Sequence, residues 1–223
     1  MHFRGGFPVD IILLALVAGF LILRLRSVLG KRTGYERPPL PDQPAGPVFN
    51  RGPALDSIAQ PSRPLIERQM PAPGTVLGQA LAQIQAADRS FDPGRFLNGA
   101  ETAFRSIVTA FAQGDLATLR NLLSPPVFAT FEQAIAMRNE AGETQHTEIK
   151  TIIQAVIDDA ELIGDHAAII VRFVSDQVSY TQDRKGDIVA GTEAVTEIVD
   201  LWTFERSLNA PDPTWRLAAA RSG

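Results

Sequence analysis

The stretch Gly142-Glu-Thr-Gln-His-Thr-Glu-Ile-Lys-Thr-Ile-Ile-Gln-Ala-Val-Ile157 is where the hydrophobic period of the chain changes from 3.6 to 2. Within it Ile149, Thr151, Ile153, Ala155 and Ile157 alternate along one predicted strand face. On the N-terminal side, apolar residues recur three and four positions apart. Val76, Leu77, Ala80, Leu81 and Ile84 predict a helix over 75–87. Asp92 and Pro93 supply an N-cap and a first-turn proline for the next helix. Over 98–112, Ala103, Phe104, Ile107, Val108 and Phe111 form one core-facing stripe. Gly114 ends that helix, Asp115 caps a short one over 116–123, and Ser124-Pro125-Pro126 opens another carrying Val127, Phe128, Phe131, Ile135 and Met137.

On the C-terminal side the signals are those of strands. Residues 167–174 are almost continuously apolar, as expected of a central strand or one covered on both faces. Asp165-His166 reads as the turn before it. Residues 178–181 and 188–190 read as a hairpin around Asp183-Arg184-Lys185-Gly186-Asp187, and 195–206 and 214–221 complete the sheet. Helices first and strands afterwards predict an α+β fold, roughly α-α-α and then four to six strands, with the helices packed on one face of a curved antiparallel sheet.

Composition narrows the chemistry. A chain of 223 residues suits one domain with appendages. It has no cysteine, which excludes disulfides and thiolate metal sites. Its three histidines, His2, His146 and His166, have no common metal-ligand spacing, so neither metal nor cofactor is expected. The net charge of −4 divides into +4 over residues 1–40 and −8 over 41–223. An acidic body argues against nucleic-acid binding, and a basic segment beside an apolar run argues for anionic lipid headgroups.

That apolar run is Ile11-Ile12-Leu13-Leu14-Ala15-Leu16-Val17-Ala18-Gly19-Phe20-Leu21-Ile22-Leu23, followed by Arg24, Arg26, Lys31 and Arg32. Residues 9–29 would reach about 31 Å as a helix, enough to span a bilayer with the arginine stems snorkelling to one interface and Asp10 near the other. The basic residues follow the apolar run and no Ala-x-Ala-like site succeeds it, so an anchor is expected in preference to a cleaved signal peptide. The excess of Lys/Arg on the C-terminal flank predicts a single-pass inner-membrane protein with its C-terminal domain in the cytoplasm. The expected organisation is an anchor with its basic flank over 1–32, a proline-rich linker over 33–74 and a folded domain over 75–223. Ten of the sixteen prolines fall between residues 38 and 73.

Several motifs occur in an order that resembles the Tim44-like domain family. They are Phe91-Asp-Pro-Gly-Arg-Phe-Leu-Asn-Gly-Ala100, Ala103-Phe104, Ala110-Phe-Ala-Gln-Gly-Asp115, Leu119-Arg-Asn-Leu-Leu-Ser124, Thr196-Glu-Ile-Val-Asp-Leu-Trp-Thr-Phe-Glu-Arg206 and Pro213-Thr-Trp-Arg-Leu217. The run 21–34 after the apolar segment is similar to the start of bacterial TimA-like adaptor members. The resemblance implies a cone of the nuclear-transport-factor-2 type, inner-membrane attachment and a non-enzymatic adaptor role with a translocon, insertase or chaperone component. Mitochondrial members tether an import motor and bind cardiolipin-rich membranes. This chain departs from them in lacking an Arg/Ser-rich transit segment and the long charged region that engages the motor chaperone.

Candidate site residues are Asp200, Trp202, Phe204 and Trp215, read as a pocket. Ile198, Asp200, Trp202 and Phe204 share one face of the strand 195–206, while Val195, Glu197, Val199, Leu201 and Thr203 share the other. Asp158, Glu197, Glu205 and His146 are further candidates for acid–base work, which requires a carboxylate held in apolar surroundings. The competing expectation for Asp200 is a structural carboxylate paired with Arg172 or Arg216. For the aromatics it is core packing. A lipid- or peptide-accepting pocket, an enzyme of the same fold, and self-association into a homo-oligomer remain alternatives to the adaptor reading.

Overall fold

The computed structural model describes residues 71–223. Four helices precede four strands: α1 Val76–Ala87, α2 Pro93–Gln113, α3 Leu116–Leu122, α4 Pro125–Ala141, then β1 Thr144–Ile163, β2 His166–Gln182, β3 Ile188–Ser207 and β4 Arg216–Ser222. The α+β expectation holds, with helices on an antiparallel meander ordered β1-β2-β3-β4. Irregularities in strand register between β1 and β2 at Ile149/Thr151, Ile152/Gln154 and Ile157/Asp159 curve the sheet around the helices.

The helix boundaries follow from local chemistry. Thr75 caps α1 by accepting from the Gly78 amide, and Asp92 caps α2 by accepting from Arg95 N at 2.7 Å. Pro93 occupies the first turn of α2, and Gly114 ends it in the left-handed region at φ 72°. Arg138 of α4 also seals that end, donating to the carbonyls of Phe111 and Ala112. The opening at Asp92-Pro93 and the stripe over 98–112 belong to one helix of 21 residues, and the described helices number four where roughly three were expected.

One core joins the layers. Leu81 and Ile84 of α1, Phe104 and Ile107 of α2, Leu119 of α3 and Phe131 of α4 pack onto the inner face of the sheet. That face alternates on β2 as Ala167, Ile169, Val171 and Phe173. The centre is aromatic: Phe104 stacks on Phe173 at 4.4 Å between ring centroids and lies 4.7 Å from Trp202. The β4 edge is tied to the helical layer, because Ser124 N donates to Leu217 O and Leu123 bridges Leu217.

The hairpin read at 178–181 and 188–190 is present as the outer ends of β2 and β3, and the strands number four, within the expected range. Two expectations are corrected. Ala155 and Ile157 are buried as expected, but Ile153 is 38% exposed, because the register irregularities on either side turn Ile152 inward instead. The single-pass inner-membrane localisation does not stand: among the described residues no helix is long and apolar enough to cross a membrane. The residues assigned to the anchor (Ile11, Ile12, Leu13, Leu14, Leu16, Val17, Phe20, Leu21, Ile22 and Leu23) and to headgroup contact (Arg24, Arg26, Lys31 and Arg32) lie outside the described residues.

Candidate functional site

A half-open cleft of about 580 Å³ lies between α2, the end of α3, and the junction of β3 with β4. Its wall begins with a local device at the start of α2. Phe91 precedes the cap residue Asp92, and Phe96 sits four positions after it; their rings pack at 6.0 Å. Such a staple fixes the angle at which the chain enters the helix. Trp215 completes the wall, 5.9 Å from Phe91 and 4.9 Å edge-on from Phe96, while Phe96 also meets Phe204 at 6.0 Å. Ala100, Ala103 and Leu122 supply the remaining apolar lining.

The charged groups around this wall are engaged in distinct ways. Arg206 lies 5.0 Å over the Trp215 ring and donates to the Asp88 carboxylate and to Pro213 O. Their side chains are 11% and 18% exposed, so this pair fastens the α1–α2 connection to the sheet in a partly desolvated setting. A hydrogen bond from Ser90 is the main cause that holds the Asp88 carboxyl below the usual aspartate range, and Arg206 adds to it. Asp92 is committed to the helix cap. Arg95 sits at the third helical position, where a capping box would have Glu or Gln; its guanidinium makes no ion pair among the described residues.

The four residues read as a pocket divide between two places. Phe204 and Trp215 line the cleft. Trp202, at 2% exposure, packs against Phe104 of α2 in the core, and Asp200, fully buried, precedes it on the same strand face. Phe204 joins the two groups, with its ring 6.2 Å from that of Trp202. The proposed partners of Asp200 are engaged elsewhere: Arg172 pairs with Asp158 across β1 and β2, and Arg216 pairs with Asp212 at 2.9 Å. His146 stacks on Tyr180 at 4.9 Å in a separate depression that Glu148 also lines. Glu197 is exposed and Glu205 half-buried. The structure therefore brings no two of Asp200, Asp158 and His146 together in the cleft. Among the described residues no group of His, Cys, Asp and Glu is arranged to hold a metal ion.

The Tim44-like domain model matches residues 77–222, the span that contains every element forming the cleft. The chain belongs to the Tim44-like domain family. It is 24% identical over 147 residues to the mitochondrial import inner membrane translocase subunit TIM44 of Rattus norvegicus, covering 64% of this chain and 32% of that protein. It is 23% identical over 138 residues to an uncharacterised protein of Rickettsia prowazekii, covering 62% of this chain and 56% of that one. The Tim44-like chain thus spans about a third of one of these relatives and somewhat more than half of the other. Among solved structures, a putative dehydratase of the NTF2-like family from Streptomyces avermitilis is 16% identical, with a TM-score of 0.36, over 58% of this chain and 97% of that one.

Proposed function

We propose that this Tim44-like domain is a non-enzymatic adaptor that docks a protein partner in its aromatic cleft, in the setting of protein translocation. The observation that carries this reading is the cleft itself. It presents Phe96 and Trp215 on a wall stapled to the start of α2 and fastened by Asp88 and Arg206. A preformed, aromatic-lined recess with a polar rim has the anatomy of a hot spot for a partner's apolar side chain. The translocation setting comes from the mitochondrial translocase subunit to which the domain is similar. The non-enzymatic reading is supported by how the cleft's charged groups are used: Asp92 caps a helix and Arg206 is paired.

Photocrosslinking in cells tests the proposal. A benzophenone side chain replacing Asn98 or Thr214, both on the exposed rim, is expected to yield a discrete adduct with a translocation component. The same group at Lys185, in the β2–β3 turn, should not yield it. Equal labelling from all three positions, or adducts with no translocation component, would refute the proposal.

A further inference from the structure

The exposed side of α2 carries a trough longer than the aromatic wall. The cleft continues through Ser106 into an adjoining depression of about 330 Å³ lined by Arg105, Thr109 and Gln113. From Asp92 to Ser106 alone the helix advances about 21 Å. Along it Gly99, Ala103 and Ser106 fall at spacings of four and three, a line of small residues on the cleft side of the helix. Gly99 is the informative one. It sits inside a helix, where glycine is destabilising relative to alanine, yet a Cβ added there would meet nothing within 4 Å. Packing among the described residues gives no reason for a glycine at this position. Close approach of another backbone does.

Charge narrows the occupant. Residues 41–223 carry −8 overall, but the exposed edge of this trough carries Arg95 and Arg105, neither ion-paired among the described residues. The acidic residues beside it are committed: Asp92 caps α2, Asp115 caps α3 through Ala117 N and Thr118 N, and Glu101 is buried. Building on the adaptor reading above, we propose that the trough receives an amphipathic α-helix of a partner protein. Its apolar anchor enters between Phe96 and Trp215, its backbone crosses at Gly99, and its acidic side chains meet Arg95 and Arg105. A helix fits because the small residues that line the trough along α2 allow a second helix to approach closely, and the anchors of a bound helix recur every three or four residues.

The test uses the full chain and Trp215 fluorescence with three synthetic 18-residue peptides. One has leucines spaced three and four apart and glutamates on its flanks, the second has lysines in place of the glutamates, and the third is the first broken by two prolines. The glutamate peptide is expected to bind at least tenfold more tightly than either of the others. The double variant Arg95→Glu, Arg105→Glu should reverse the preference toward the lysine peptide. Gly99→Leu should abolish binding without lowering Tm. Equal binding of the glutamate and lysine peptides, undiminished binding of the proline peptide, or unchanged binding to Gly99→Leu would overturn the inference. If these fail while cleft crosslinking succeeds, the helix is wrong and the adaptor reading stands. If only a dodecyl detergent changes Trp215 fluorescence and crosslinking also fails, the cleft is an acyl-chain site and both proposals fall.

Discussion

The two tryptophans make the sharpest test of how the structure divides stability from binding. Trp202 is 2% exposed and contacts Phe104, Phe173 and Phe204 in the core. A buried tryptophan removes about 150–250 Å² from water, which at about 25 cal/mol per Å² is roughly 4–6 kcal/mol. Core Phe or Trp to Ala substitutions cost about 3–5 kcal/mol, so Trp202→Ala should lose about 4 kcal/mol. In a domain of this size that corresponds to a fall in Tm of about 12 °C. Trp215 is partly exposed and lines an open cleft, so water refills the space left by truncation. Trp215→Ala should then cost only about 1–2 kcal/mol, and Tm should fall by about 3–6 °C. Urea unfolding followed by circular dichroism, with m values compared to show that the same surface is exposed, measures both. Equal losses for the two variants would refute the separation of core from cleft.

Other consequences follow from single positions. Gly99→Ala should stabilise the domain by about 0.5–1 kcal/mol, read as a rise in Tm, because the position is helical with open space around it. Gly191→Ala should destabilise it by more than about 2 kcal/mol in urea unfolding, since φ is +79° and the new Cβ would lie 2.2 Å from Ser179 O. The Asp212 carboxyl is lowered from 3.8 to about 2, chiefly by its hydrogen bond to Thr214 and then by Arg216. A depressed folded-state value contributes stability above the unfolded value that is lost as pH falls, here between about 4 and about 2. Asp212→Asn should therefore flatten that part of the Tm–pH profile and leave its slope above pH 5 unchanged.

Periodicity and caps made much of the architecture legible before any coordinates. Asp92-Pro93, Gly114 and Asp115 mark helix ends that the hydrogen bonds reproduce, and the apolar run at 167–174 belongs to a strand with neighbours on both sides. Period-2 reading failed at Ile153, because each bulge adds a residue to one strand and exchanges inside for outside. The same kind of limit separated Trp202 from Trp215. The sequence groups both as one aromatic pocket, but only the position of α2 decides which is sealed and which borders a cleft. Phe91 and Phe96 were the missed half of the site. Their signal was present as the pair flanking Asp92 with staple spacing, whereas the pairing of Arg206 with Asp88 joins residues 118 positions apart and leaves no local trace.

Crosslinking yield from position 98 in the full chain, compared with the same chain carrying Gly99→Leu, measures the central claim most directly. A trough that receives a partner helix whose backbone crosses at Gly99 predicts a discrete adduct that Gly99→Leu removes while Tm stays level or rises. An adduct that persists undiminished in the well-folded Gly99→Leu chain would contradict it.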